Sequence, residues 1–406
     1  MYPLSTFEFD IMPLTVAVLH NTAEDVLAEI WSKPYSSSVS QVLPYNNRAR
    51  GEEQGTPSDS YYELDSQRTV ETYKKFIEEL GHKVVLIPGN ITAVQRFREL
   101  RDAGTPVDIC WNVAEGFRGF DREAQMPAIL EMMGIPYTFP RPLSNAVTLN
   151  KAMAKKLFVF HGIPTPAFQE FTHPDEPIAE VLNDKWPLFV KPNSEGTAMG
   201  ITTNSLVHNE SELRRELHRV LKSYGQSALV EEFIPGRDVT CGVVGNFDSE
   251  AGLCVLEINE VDYEKTKVPE DLLKAAGSKD NLFYNSEIKS LRGDDFQTIC
   301  PANLPEDVTL EIKRLTVEIY RICMGRDAGR VDFRLDTRGG KLTPYAIEIN
   351  TIPGMMDESD LTVCARGAGY SHKEMIQNIF AYACDRYGLD HNLTKRFPKN
   401  WPPKSM

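Results

Sequence analysis

Three short stretches hold residues whose types and spacing suit chemistry on a charged substrate. In WPLFVKPNSEGTAMGI an apolar run ends on Lys191, then gives way to Asn193, Ser194, Glu195, Gly196, Thr197 and Gly200. A small-residue loop rich in free backbone N–H groups, with a lysine beside it, is what phosphate oxygens require. It is not a Walker loop, because no G-x-x-x-x-G-K-[ST] occurs in the chain. An ordinary connection between strands is the plain alternative.

The second constellation joins RVDFRLD to AIEINTIPGM. Arg330, Asp332 and Arg334 alternate with Val331, Phe333 and Leu335, so the charged residues share one face of a strand. TRGGK reads as the turn that folds this strand back on the next as a hairpin. There Ile347 and Ile349 are expected on one face, and Glu348 and Asn350 on the other. Asp332 then lies near Glu348 and Asn350. Hard oxygen ligands without His or Cys suit Mg2+, which takes few protein ligands and completes its shell with water and nucleotide phosphates. A solvent-facing hairpin with paired charges is the alternative, and the phosphate-type loop upstream favours the metal. In the third stretch, ALVEEFIPGRDVT, Glu231 and Glu232 end an apolar strand, followed by Phe233, Ile234 and Asp238. Such a strand edge can offer backbone groups to a purine and a carboxylate to a ribose.

The elements that must position these residues follow from periodicity. Strands are expected at 14–19, 83–87 and 107–111, with helices at 66–80 and 124–133, the latter closed by Gly134. That alternation implies a parallel sheet with helices packed on it. A polar stretch, NNRARGEEQGTPSDS, interrupts it as a long loop. Beyond residue 143 come a helix at 150–161, strands at 188–190 and 228–234, and a helix at 211–221. Strands at 239–244, 330–335 and 345–349 complete the pattern. Residues 257–281 read as a charged insertion, and KRFPKNWPPKSM as an extended arm.

The chain has 406 residues, which at ~150 residues per domain implies two or three domains. With 44 basic and 58 acidic residues the net charge is −14, which argues against nucleic acid and anionic membrane as partners. No apolar run reaches the ~18 residues of a spanning helix, and the N-terminus lacks signal-peptide features. Seven cysteines without a C-x-x-C pair suit reduced thiols in a cytoplasmic protein. Eight dispersed histidines and the lack of a G-x-S-x-G elbow disfavour a covalent hydrolase.

Taken in order, GIPYTFP, LNKAMAKKLFVFHGIPTP, FVKPNSEGTAMGI, LVEEFIPGRDVT, FYNSEIKS with CPA after it, GRVDFRLD and IEINTIPGM resemble the ATP-grasp superfamily. Within it they resemble the D-alanine–D-alanine ligase family. The resemblance implies an α/β N-terminal domain (1–142) followed by an α+β ATP-grasp pair, 143–234 and 235–406. It implies an ATP-dependent carboxylate–amine ligase that works through an acyl phosphate on small amino-acid substrates, with homodimers as a family habit. It puts phosphate lysines at Lys151, Lys191 and Lys289, with Ser194 and Gly196 in the phosphate loop. Adenine and ribose contacts fall at Glu231, Glu232, Ile234 and Asp238. Two Mg2+ ions, with Mn2+ as an alternative, fall at Asp332, Glu348 and Asn350. Arg330 and the N–H of Gly354 would stabilise the tetrahedral intermediate. Both acyl phosphate and tetrahedral species concentrate negative charge, which preorganised cations and N–H dipoles favour.

The departures concern the amino-acid pockets. AEGFRGFDRE sets Glu115 where housekeeping ligases have a histidine, and Ser290 follows the FYNSEIK lysine in place of a tyrosine. Glu63 is the match for the first-amine carboxylate. After Pro-Gly-Met the chain reads MDESDL, acidic where a second carboxylate should bind. Thr197 and Ser359 complete the expected substrate contacts. A housekeeping D-alanine–D-alanine ligase and a nucleotide-binding module without turnover remain the alternatives.

Overall fold

The computed structural model describes residues 12–25, 64–117, 119–285, 287–288, 291 and 295–402. The expected positions Glu63, Lys289 and Ser290, and the polar stretch before them in the first region, lie outside the described residues.

The chain first builds a parallel sheet from β1 (Thr15–His20), β2 (Lys83–Pro88) and β3 (Ile109–Asn112), in the order β2-β1-β3. Helices α1 (Gln67–Glu78), α2 (Ala93–Asp102) and α3 (Gln125–Met133) cover it. Ser66, read as helical from sequence, is the N-cap of α1: its Oγ accepts from Thr69 N–H at 3.1 Å. Central strand β1 is buried from Val16 to Leu19, as a sheet covered on both faces must be. Two helices follow, α4 (Pro142–Leu149) and α5 (Lys151–Phe160). Asn150 caps α5 by accepting from Met153 N–H, which fixes Lys151 as its first residue.

A second, antiparallel sheet has β4 (Phe168–Phe171), β5 (Leu188–Pro192), β6 (Leu206–Val207) and β7 (Ala228–Glu232), in the order β4-β7-β5-β6. Helix α6 (Glu210–Tyr224) packs on it through Leu213, Leu217 and Val220. The third sheet, also antiparallel, has β8 (Gly236–Gly245), β9 (Leu253–Val261), β10 (Thr298–Ile299), β11 (Ala328–Asp336) and β12 (Thr343–Asn350), in the order β10-β9-β8-β11-β12. Residues 257–261, read as part of an insertion, belong to β9; a short helix, α7 (Glu270–Ala276), follows them. Their charges misled the reading, because a two-faced strand carries polar residues on its open face.

Helices α8 (Glu306–Ile322), α9 (Asp360–Gly367) and α10 (His372–Tyr387) finish the fold. One core joins α8 and α5 to the third sheet through Ile312, Phe158, Val331 and Ile349. Another joins the first sheet to α9 and α10 through Val18, Trp111, Leu361 and Phe380. The C-terminal stretch is extended but not free. Phe397 is buried, and Asn400 bonds to β9 at Leu253 O (3.1 Å) and Val255 N (2.7 Å).

Candidate active site

The second and third sheets face each other across a cleft, and β11 and β12 set its chemistry. Their register pairs Asp332 with Glu348 and Arg330 with Asn350. Asn350 Nδ2 donates to Asp332 Oδ2 at 3.0 Å, and Thr240 Oγ1 donates to Asp332 Oδ1 at 2.7 Å. The three expected oxygen ligands therefore converge.

The register slips between Asp332 and Phe333, which leaves Ile347 without a partner on β11. Ile349 and Ala346 enter the core, whereas Ile347 lines the cleft. Strict alternation placed Ile347 with Ile349; the bulge re-aims it.

One part of the cleft is an apolar slot of about 160 Å³. Phe189, Phe233 and Phe283 pack together there, with ring centroids 4.9 to 6.2 Å apart, and the Arg334 guanidinium lies 5.2 Å from the centre of the Phe233 ring. Glu231, Glu232, Ile234 and Asp238 all line the slot. The Glu231 carboxylate is committed, accepting from Lys191 at 2.7 Å and facing Lys155 at 2.9 Å. Burial would raise its pKa, but those two lysines hold it below the ordinary range. Burial lowers the Lys155 ammonium to about 8 against the pull of Glu231. Asp238 is held at its Oδ2 by Arg334 Nη1 (2.8 Å) and the Tyr263 hydroxyl (2.5 Å).

At the inner end of the slot the phosphate-type loop doubles back. Thr197 and Ala198 have φ of 56° and 57°, and Gly200 has φ 75° with Pro192 packed where a Cβ would go. These left-handed residues fold the loop tightly back on itself, with Met199 N–H donating to the Gly196 carbonyl at 3.0 Å. Lys151 Nζ reaches the Glu195 carbonyl and lies 3.0 Å from Glu348 Oε2. Ser194 lines neither part of the cleft; its N–H goes to Gln226 Oε1 (2.6 Å) and its carbonyl to Arg122 Nη1 (2.8 Å). Its side chain is not brought to the site as expected.

The slot opens into a chamber of about 540 Å³, and the two share Lys151, Glu195, Gly196, Thr197, Tyr284, Arg330, Glu348 and Asp360. Glu115, Asn350, Gly354 and Ser359 line the chamber. Ser359 Oγ accepts from Met356 N–H at 3.0 Å, which shapes the turn at Gly354.

Electrostatics concentrate at Arg330. It lies 3.4 Å from Asp332 and 2.6 Å from Asp360, and its Nε has no hydrogen-bond partner. Burial works against its charge, but Asp332, Asp360 and Glu348 outweigh that, so it stays protonated. Burial raises the Asp332 carboxyl to about 6, with Arg330 opposing and Glu348 and Asp360 adding to the rise. Burial would also raise Glu348, yet Lys151 and Lys191 bring it down to about 2. Crowded carboxylates with hard oxygen donors fit a divalent cation. Among the described residues, no three His, Cys, Asp or Glu close around a metal, so the set of two acids and one amide leaves room for phosphate and water.

The sequence reading missed Lys155, Arg122, Asp65 and Asp360. Lys155 is one helical turn from Lys151, a spacing that could have shown it. Arg122, fully buried, reaches the phosphate loop across 72 positions of sequence, which no local pattern reveals.

Residues 157–381 match the family model described as the D-Ala–D-Ala ligase C-terminus. The chain belongs to the D-alanine–D-alanine ligase family. A D-alanine–D-alanine ligase of Desulforamulus reducens is 32% identical over 70% of this chain and 83% of that one. An uncharacterised protein of Sinorhizobium fredii is 31% identical over 77% of this chain and 86% of its own length. In fold, the chain matches the D-alanine–D-alanine ligase of Bacillus anthracis crystallised with ATP, with a TM-score of 0.58 and 19% identity over 92% of this chain and 99% of that one. The α/β and α+β architecture expected from sequence is thus that of ATP-grasp ligases, enzymes that form a carbon–nitrogen bond. Among the described residues no helix is long and apolar enough to cross a membrane.

Proposed function

We propose that this chain is an ATP- and Mg2+-dependent ligase that joins the carboxylate of one amino-acid-like molecule to the amine of another. The observation that carries this reading is the wall shared by slot and chamber: a nucleotide filling the slot brings its terminal phosphate to the chamber between Lys151 and Arg330. The purine occupies the phenylalanine-lined slot, Asp238 takes the ribose hydroxyls, and Lys151, Lys191 and the loop from Gly196 to Gly200 take the phosphates. Asp332, Glu348 and Asn350 would hold Mg2+ (or Mn2+), which supplies charge neutralisation at the phosphates. In domain terms, we read 1–142, 143–234 and 235–406 as one unit per sheet, and a homodimer as the assembly.

In the reaction, a carboxylate oxygen attacks the terminal phosphorus and ADP leaves. The neutral amine of the second molecule then forms the C–N bond. The C–O bond to phosphate breaks, phosphate departs with that electron pair, and the amine proton passes to solvent. Arg330, which lines both slot and chamber, and the Gly354 N–H stabilise the oxyanion between the two steps. Glu115 meets a substrate ammonium, with Thr197 and Ser359 bordering the reactants.

Arg330→Ala tests the assignment. Losing one oxyanion donor typically costs ~10²–10³ in kcat, so ligation should fall by at least that factor while the Kd for ATP, measured by calorimetry, stays unchanged. Equal loss of both would make Arg330 structural. A protein that binds ATP yet releases no ADP with any acid and amine would be a binding module instead.

A further inference from the structure

Arg122 carries a full charge at 0% exposure, distant from the phosphate loop in sequence but in contact with it. Its Nη1 donates to the Ser194 carbonyl at 2.8 Å, and its Nη2 lies 3.4 Å from Glu195 Oε2. Gln226 grips the same two residues, accepting from Ser194 N–H at 2.6 Å and donating to Glu195 Oε1 at 2.7 Å. Ser194 and Glu195 are themselves buried. The entry to the loop is therefore held at its backbone and at its carboxylate, immediately before Gly196 and Thr197 reach the slot. Its far end is held separately, by Arg219 Nη2 on the Gly200 carbonyl at 2.7 Å.

The segment that supplies Arg122 serves the chamber as well. Glu115 and Glu123, on either side of it in sequence, line the chamber. Between them the backbone closes tightly: Gly116 has φ 74°, and a Cβ there would lie 2.7 Å from the Arg122 carbonyl. The Glu123 carbonyl accepts from Asn145 Nδ2 at 3.3 Å, and Asn145 Oδ1 accepts from the Thr351 hydroxyl at 3.3 Å, next to Asn350. Residues 122 and 123 thus join the phosphate loop to the end of β12.

A buried guanidinium is costly unless its partners are fixed, and removing one member of such a pair leaves a charge inside without its counter-ion. Losing Arg122 takes a cation from the Glu195 carboxylate and a donor from the Ser194 carbonyl. The loop can offset that only by shifting toward water. The other end of the slot stands apart, because Phe189, Phe233 and Phe283 pack on one another.

Resting on the nucleotide site of the ligase reading above, we infer that Arg122 is a positioning residue for the phosphate loop. It lines neither slot nor chamber, and acts on ATP through Ser194 and Glu195 from the segment before α3. Its effect falls on the phosphates and spares the purine.

Calorimetry on the full-length chain with Mg2+ tests this, with a non-hydrolysable ATP analogue and adenosine as the probes. Arg122→Gln should weaken the analogue at least about tenfold, the scale of one hydrogen bond to a charged group, and leave adenosine within about twofold. Arg122→Lys keeps a cation beside Glu195 but loses the fork that reaches two oxygens, so it should fall between wild type and the Gln variant. A graded loss confined to the phosphates is what a merely structural residue would not give. Equal weakening of analogue and adenosine, an unchanged analogue affinity in whichever variant folds, or failure of both variants to fold would overturn the assignment and leave the ligase reading standing. A wild-type chain that binds neither probe, or binds the analogue no more tightly than adenosine, would overturn the ligase reading itself.

Discussion

Asp65 shows how much a single carboxyl can reveal in this chamber. It sits just before α1, accepts from Asn21 N–H at 3.4 Å, and lines the chamber with Tyr73 and Glu115. Burial raises its pKa to about 7, opposed by the Asn21 bond and by His20, with Asp25 adding to the rise. A raised carboxyl means the folded state holds its proton where the unfolded chain has lost it, so stability falls as pH rises from about 4 to about 7. Asp65→Asn should therefore raise the Tm of the ligand-free protein, by more at pH 8 than at pH 5 and by a few degrees, about what ~1–2 kcal/mol gives in a large domain. A Tm gain independent of pH would show that Asp65 is ordinary. The position also marks the edge of what sequence could say. The motif pointed to Glu63, outside the described residues, while the described carboxyl is two places on. Only the fold shows which side chains face a shared space.

At the scale of elements, the β11–β12 hairpin was legible and its bulge was not. Alternation in RVDFRLD and AIEIN put Arg330, Asp332, Glu348 and Asn350 on one face, and the register bears out that juxtaposition. Alternation has no way to announce an extra residue, so Ile347 went to the wrong face. The loop from Asn193 to Gly200 was legible by composition, but its support was not: Arg122, Gln226 and Lys151 come from three distant elements. Strand β8 gives the next prediction. Gly236 has φ +140°, and a Cβ there would lie 1.9 Å from the Leu335 carbonyl of β11. Gly236→Ala must part β8 from β11 just beside Asp238 and Arg334. It should destabilise the protein by about 2 kcal/mol or more, read as a lower denaturant midpoint, and weaken ATP binding with it. An unchanged midpoint would mean that the two strands can separate freely there.

Over the whole molecule, three sheets of two kinds serve one cleft. The parallel sheet contributes Asp65, Tyr73 and Glu115 from its rim, the second sheet the phosphate loop, and the third the acids and Arg330. The core shared by the first sheet and helices α9 and α10 holds the MDESDL turn against the chamber, so substrate selection and domain packing use the same helices. Most of this order was readable, because seven motifs in family sequence imply a family fold. What the sequence hid was long-range: α8 and α10, whose apolar faces matter only once there is a sheet to cover, and the acids that meet around Arg330 from three elements.

The central claim is that ATP activates a carboxylate, and oxygen transfer tests it most directly. The protein is incubated with ATP, Mg2+, a panel of amines, and amino acids labelled with 18O in the carboxylate. If an acyl phosphate forms, each turnover moves one 18O from the acid into the released phosphate, seen as a mass shift of the phosphate matched by condensed product. Condensed product with unlabelled phosphate, or ADP release with no product from any pair, would contradict the account.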